Sequence, residues 1–146
     1  MDFTKLNTKE SAERGAWLHL HHPSGDYPLY TGEGADDFGR LVDASKDHKP
    51  VRVRIRGHES QTFRSAMHRI NADKIADMSP AEAEKITKEV ACALVIEFDG
   101  IEKDGSPMEA THENLMAFFS QSDALVMQVI DFAKEARNFF SAASMK

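Results

Sequence analysis

The apolar positions change period several times along the chain, and each change predicts an element. From Gly15 they alternate every second residue, with Trp17, His19 and His21 on one face and Leu18, Leu20 and His22 on the other. That pattern predicts a strand, closed by a turn at Pro23, Ser24, Gly25 and Asp26 and answered by a returning strand over 27–31. A Gly-rich loop follows, and residues 38–44 fit one short helix that turns Phe38, Leu41 and Val42 inward. Pro50 introduces the strictest alternation, in which Val51, Val53 and Ile55 are interleaved with Arg52, Arg54 and Arg56. Residues 51–57 therefore read as a strand with one apolar and one cationic face. After Glu59 the period lengthens to that of a helix, with Phe63, Ala66, Met67 and Ile70 at core spacing and an end near Asp77. Ser79, Pro80 and Glu82 stand as N-cap, first helical residue and capping-box partner of the next helix. Its face runs through Ala83, Ile86, Val90, Ala93 and Leu94, becomes apolar nearly all round after Val90, and extends to about Phe98. Residues 1–14 are polar apart from Phe3 and Leu6 and read as an arm docked by those two side chains.

From residue 98 to 140, turn chemistry and caps follow one another. Asp-Gly pairs at 99–100 and 104–105 tolerate positive φ, and Pro107 fixes the exit. Thr111 caps a short helix that presents Leu115, Phe118 and Phe119 together. Residues 120–123 then break it and cap a last helix over 123–142. The apolar stripe of that helix, Val126, Val129, Ile130, Ala133, Ala136 and Phe140, is widened by Leu125, Phe132 and Phe139. The elements together predict an α+β fold, a small N-terminal antiparallel β-sheet followed by a C-terminal bundle of about four helices. At 146 residues the expectation is a single domain over 1–146, mainly β over 1–57 and mainly α over 58–146.

Composition narrows the function classes. The apolar run that includes residues 91–96 is far too short to span a membrane, and the N-terminus has neither a basic start nor an apolar leader. A cytoplasmic location without membrane contact is expected. The net charge of −6 argues against a general nucleic-acid binder. The charge is uneven, however: eight basic and three acidic residues lie between 46 and 74, leaving −11 for the rest. Such a bipolar chain suits a charged partner or a homo-oligomer. Arg52, Arg54 and Arg56, about 6–7 Å apart on one strand face, suit a row of carboxylates or phosphates. Equally, a half-exposed strand needs charges that keep it solvated and discourage edge pairing. No aromatic residue is interleaved with them to stack bases.

Signatures of catalysis are sparse. His19 and His21 form a two-histidine clip without an evident third ligand, so no metal site is expected. The segment 99–110 lacks the oxygen side chains of a calcium loop. Ser60 beside His58 and Glu59 does not make a triad, and no phosphate-binding glycine loop is present. Cys92, the single cysteine, reads as a small buried hydrophobe in preference to a reactive thiol. The reading is a binding protein with no cofactor, not an enzyme. Leu115, Phe118, Phe119, Phe132 and Phe139 exceed what one core of this size obviously needs. Either they all pack inside, or some line a groove for an amphipathic helix.

The C-terminal order, carried by Gly100, Asp104, Gly105, Pro107, Thr111, Glu113, Asn114, Leu115, Val129, Asn138 and Phe139, resembles the tail assembly chaperones of long-tailed bacteriophages. Asp2, Phe3, Leu6, Gly15, His22, Pro23, Gly25, Gly57, Glu59 and Ser60 extend the likeness toward the N-terminus, with residues 32–48 as an insertion. The resemblance implies a chaperone that binds the tape-measure protein and the tail tube protein in the host cell cytoplasm during tail morphogenesis and is absent from the mature virion. Two rivals remain: a structural tail or virion protein, and a metal-dependent enzyme built on His19 and His21.

Overall fold

In the computed structural model, which describes residues 1–70 and 78–139, the chain enters its first helix early. Asn7 accepts the Glu10 N–H at 3.1 Å and caps α1 (Thr8–Arg14), where the pattern predicts only an arm. Ala12 docks this segment, whereas Phe3 and Leu6, in a 3-10 turn at Phe3–Leu6, stay exposed. After β1 (Ala16–His19), the short strands β2 (Tyr30–Thr31) and β3 (Lys49–Pro50) pair at the base of a long excursion, and β4 (Arg52–Ile55) follows. Helices α2 (Gln61–Ile70) and α3 (Pro80–Leu94) lead into β5 (Val95–Asp99). The hairpin of β6 (Glu102–Lys103) and β7 (Ser106–Pro107), then α4 (His112–Phe119), α5 (Asp123–Lys134) and a 3-10 turn at Ala136–Phe139 complete the described chain. This is the α+β class the pattern predicts. The expected end of α2 near Asp77 lies outside the described residues, whereas the last helix, expected over 123–142, ends early: α5 stops at Lys134, Glu135 is extended, and the chain continues as the 3-10 turn.

Several caps act as expected. Ser79 accepts from Glu82 N–H at 3.3 Å, Thr111 from Asn114 N–H at 3.2 Å and Ser122 from Ala124 N–H at 3.2 Å. The wholly buried Ser60 accepts from Phe63 N–H at 3.1 Å, so its hydroxyl is a cap. Asp104 and Gly105 both take positive φ, 54° and 81°, as a two-residue hairpin turn requires.

The main sheet is antiparallel, in the order β1-β4-β5. Its third strand comes from the residues expected to end α3, a correction with a clear cause. A run that is apolar all round satisfies a buried helix and a buried strand alike. Here the β-branched Val95 and Ile96 leave the helix, and Val95 serves as C-cap of α3 and first residue of β5 at once. The predicted helix at 38–44 is likewise absent. Asp36 accepts the N–H groups of Phe38 and Arg40, Gly39 sits at φ 78°, and Phe38 and Val42 are exposed. Those side-chain to main-chain bonds offer the backbone a turn in place of a helix.

The core joins Leu20, Val53 and Ile55 to Ala91 and Leu94 of α3, Phe119 of α4 and Val129 of α5. The other sheet face carries two rows set by the register: Trp17, Arg54 and Glu97, then His19, Arg52 and Asp99. No helix among the described residues is long and apolar enough to cross a membrane.

Candidate partner-binding surface

Past β1 the chain keeps its extended course to His21, where a helix side chain takes the place of a neighbouring strand. Gln128 of α5 accepts the His21 N–H through Oε1 and donates through Nε2 to the His21 carbonyl, each at 2.9 Å. The amide thereby pairs with the main chain in both directions, as a strand would. Beside this clamp lies an open recess of about 510 Å³. Pro23 forms its loop side, Ala124 and Phe132 its helix side, and Leu18 lines it from β1. Asp26 and Asp131, both exposed, add acid from the loop and from α5.

The structure divides the aromatic set read from the sequence. Leu115, Phe119 and Phe139 belong to the core, whereas Phe118 and Phe132 are half-buried. Phe118 packs on Phe98 and Phe119 with ring centres 5.1 Å apart in each case. Phe132 meets Phe139 at 5.7 Å and lines the recess. The five residues therefore do not share one groove: Leu115 and Phe119 fill the space under the sheet, Phe139 is buried beside Ala12 and Gly57, and Phe132 alone reaches the recess.

The arginine row is also redistributed, because β5 brings acid opposite it. Arg52 donates to Asp99 Oδ2 at 2.6 Å and stacks over Trp17, 4.4 Å from the ring centre. Arg54 donates twice to the Arg14 carbonyl, at 3.0 and 2.7 Å. Arg56 reaches the Val95 carbonyl at 3.2 Å and Glu13 at 3.4 Å. A face that looks cationic from one strand is charge-matched across three. Half-exposed pairs of this kind contribute up to about 1 kcal/mol each and set position more than stability.

The histidines separate as well. His19 shares a hydrogen bond with the Leu29 carbonyl at 2.7 Å and meets Tyr30 edge-on. His22 Nδ1 accepts the Ser24 and Gly25 N–H groups at 3.1 and 3.2 Å and stacks on Tyr27. His19 and His21 keep their ring centres 6.3 Å apart. Among the described residues no group of three His, Cys, Asp or Glu side chains is placed to hold a metal ion.

Cys92 is buried, with Sγ 3.5 Å from Met116 Sδ. Burial, reinforced by the Glu89 carboxylate, pushes its thiol up from an ordinary 9.0 to about 12. The native thiol is therefore expected to ignore a thiol reagent at neutral pH and to react only as the chain unfolds. The folded state holds a proton that the unfolded chain releases above 9.0. This contribution to stability is complete below pH 9 and is lost as the pH rises toward 12. Prompt labelling of the native protein at neutral pH would contradict the assignment.

Gln128, Asp26 and Asp131 escaped the reading from sequence. The signal for Gln128 was present: a polar residue between Leu125 and Phe132 at spacings of three and four interrupts an apolar stripe, which marks an inward polar group in need of a partner. No family model, curated protein or solved structure matches the chain.

Proposed function

We propose that the protein is a phage tail assembly chaperone, acting by binding and without a catalytic step, and that its client sits in the recess beside α5. The supporting observation is the recess itself: an open cleft of about 510 Å³ with an apolar helix wall, acid from Asp26 and Asp131, and a clamped strand end. Its volume lies within the range of about 300–1,000 Å³ typical of binding clefts. The residues that carry the family resemblance are mostly architectural. Thr111 caps α4, Asp104 and Gly105 turn the hairpin, and Asn114 joins the two by accepting from Lys103 at 2.7 Å. The resemblance thus speaks to the scaffold and the recess to the client. On this reading the clients are the tape-measure and tail tube proteins, met in the host cytoplasm.

Co-expression with both clients from the same phage tests it. The chain is expected to co-purify with the tape-measure protein, to lose it when Phe132 is changed to Asp, and to be missing from purified virions. Stoichiometric presence in the particle would favour the structural tail protein. A tightly held zinc or iron on His19 and His21 would favour the enzyme. Its gene is expected between those of the tube and a very long tape-measure protein.

A further inference from the structure

We infer that the outer edge of β1 accepts an extended, basic segment of a partner protein as a fourth strand of the β1-β4-β5 sheet. The inference deepens the proposed function, resting on it for the place of the client and not for the client's identity.

Strand β1 ends the sheet order and pairs with β4 alone. The Leu20 N–H donates to the Val51 carbonyl at 3.0 Å and the Leu20 carbonyl accepts from the Leu29 N–H at 2.9 Å, so the main-chain groups at positions 18 and 20 face inward, toward β4 and the excursion that precedes it. By the alternation of an antiparallel ladder, those of Trp17, His19 and His21 face outward. Gln128 already fills the His21 position, with two hydrogen bonds of strand-like geometry. Among the described residues, no main-chain or side-chain partner meets the N–H or carbonyl of Trp17 or His19 on that side. A row of three outward pairs is thus one-third filled, by a side chain that stops the row at its far end. Exposed edges are commonly guarded by a lysine, a proline or a bulge, and β1, Ala-Trp-Leu-His, carries none of these.

The recess opens where such a strand would lie, with Leu18 from β1 on one side and Ala124 and Phe132 from α5 on the other. Alternate side chains of an added strand would enter it, and those between would point away. The occupant's charge follows from Asp26 and Asp131 and from the net −6 of the chain. Basic residues complement this site, whereas a second copy would bring another −6 to it.

The probe is a capped peptide of about six residues alternating valine and lysine, the length of an ordinary strand. Its control is N-methylated at alternate amides, which keeps every side chain and charge and removes the donors. Trp17 is the only tryptophan, so its fluorescence follows binding while amide exchange at Trp17 and His19 follows the ladder. The parent peptide should bind and slow exchange at both amides by about tenfold or more, and the control should bind at least about tenfold more weakly. Pairing Asp131→Lys with Asp26→Asn, since asparagine tolerates the positive φ at 26, should weaken the parent and flatten its salt dependence. Equal binding of the N-methylated control, unchanged exchange at Trp17 and His19, preference for a helical peptide of equal charge, or no binding at about 1 mM would each overturn the inference. Failure of client co-purification with a positive peptide result removes the chaperone reading and leaves the strand site. A co-purifying client that leaves exchange at Trp17 and His19 unchanged does the reverse.

Discussion

Phe119→Ala is expected to lower the unfolding free energy by about 3–5 kcal/mol. The ring is wholly buried, stands edge-on to Phe118, and belongs to the cluster that joins α4 to Leu20, the inner face of β4, α3 and α5. Truncation removes its transfer free energy and leaves a void that sheet and helices cannot close without giving up contacts of their own. Against a total of about 5–15 kcal/mol for a domain, this is roughly a fifth of the stability or more. Urea unfolding is the measurement: the midpoint should fall while the slope holds. The neighbouring Phe118, half-buried, should lose less when truncated. A loss below about 1 kcal/mol at Phe119 would mean that α4 does not cover the core as described.

Gly15→Ala is expected to cost about 2–4 kcal/mol, from two sources that a second variant separates. Gly15 links α1 to β1 at φ 84° and ψ 173°, a conformation that essentially only glycine adopts. A Cβ there would stand 2.9 Å from the Ile55 carbonyl oxygen and 2.6 Å from Ile96 Cδ1. The side chain of Ile96 can rotate, but the Ile55 carbonyl belongs to β4 and cannot move freely. Gly105 provides the comparison, with a φ of 81° and nothing within 4 Å of an added Cβ. Gly105→Ala should carry only the conformational penalty of about 1–2 kcal/mol. Equal losses in the two variants would show that the close approach to β4 is immaterial.

How much of this was legible in the sequence depends on how local the cause is. The caps at Ser79, Thr111 and Ser122 and the Asp104-Gly105 turn could be read because each acts within a few residues. The helix at Thr8–Arg14 was equally local, and Asn7 three residues before Glu10 was its signal. What could not be read is whatever depends on pairing. Once residues 95–98 are taken as helix and Asp99 as turn, Glu97 and Asp99 vanish from the sheet, and Arg52 and Arg54 look like free cations. The recess was hidden for the same reason, since Gln128 and His21 meet across 107 positions. Of the five apolar residues singled out, burial could be decided only by knowing which helix face the sheet occupies.

The join between α3 and β5 has a consequence for sequence change. Most helices and strands are separated by a loop that absorbs an added or missing residue, but here Val95 belongs to both elements. One residue deleted in the last turn of α3 would rotate the helix by about 100° relative to the strand, or else invert the inward and outward sides of β5. Inversion would bring Glu97 under the helices and expel Phe98, which packs on Phe118. Chain length is therefore fixed to the residue at this point, whereas at the Asp104-Gly105 tip, with open space around Gly105, extra residues can loop out into solvent. Length variants of this protein should accumulate at the hairpin tip and be missing from the join.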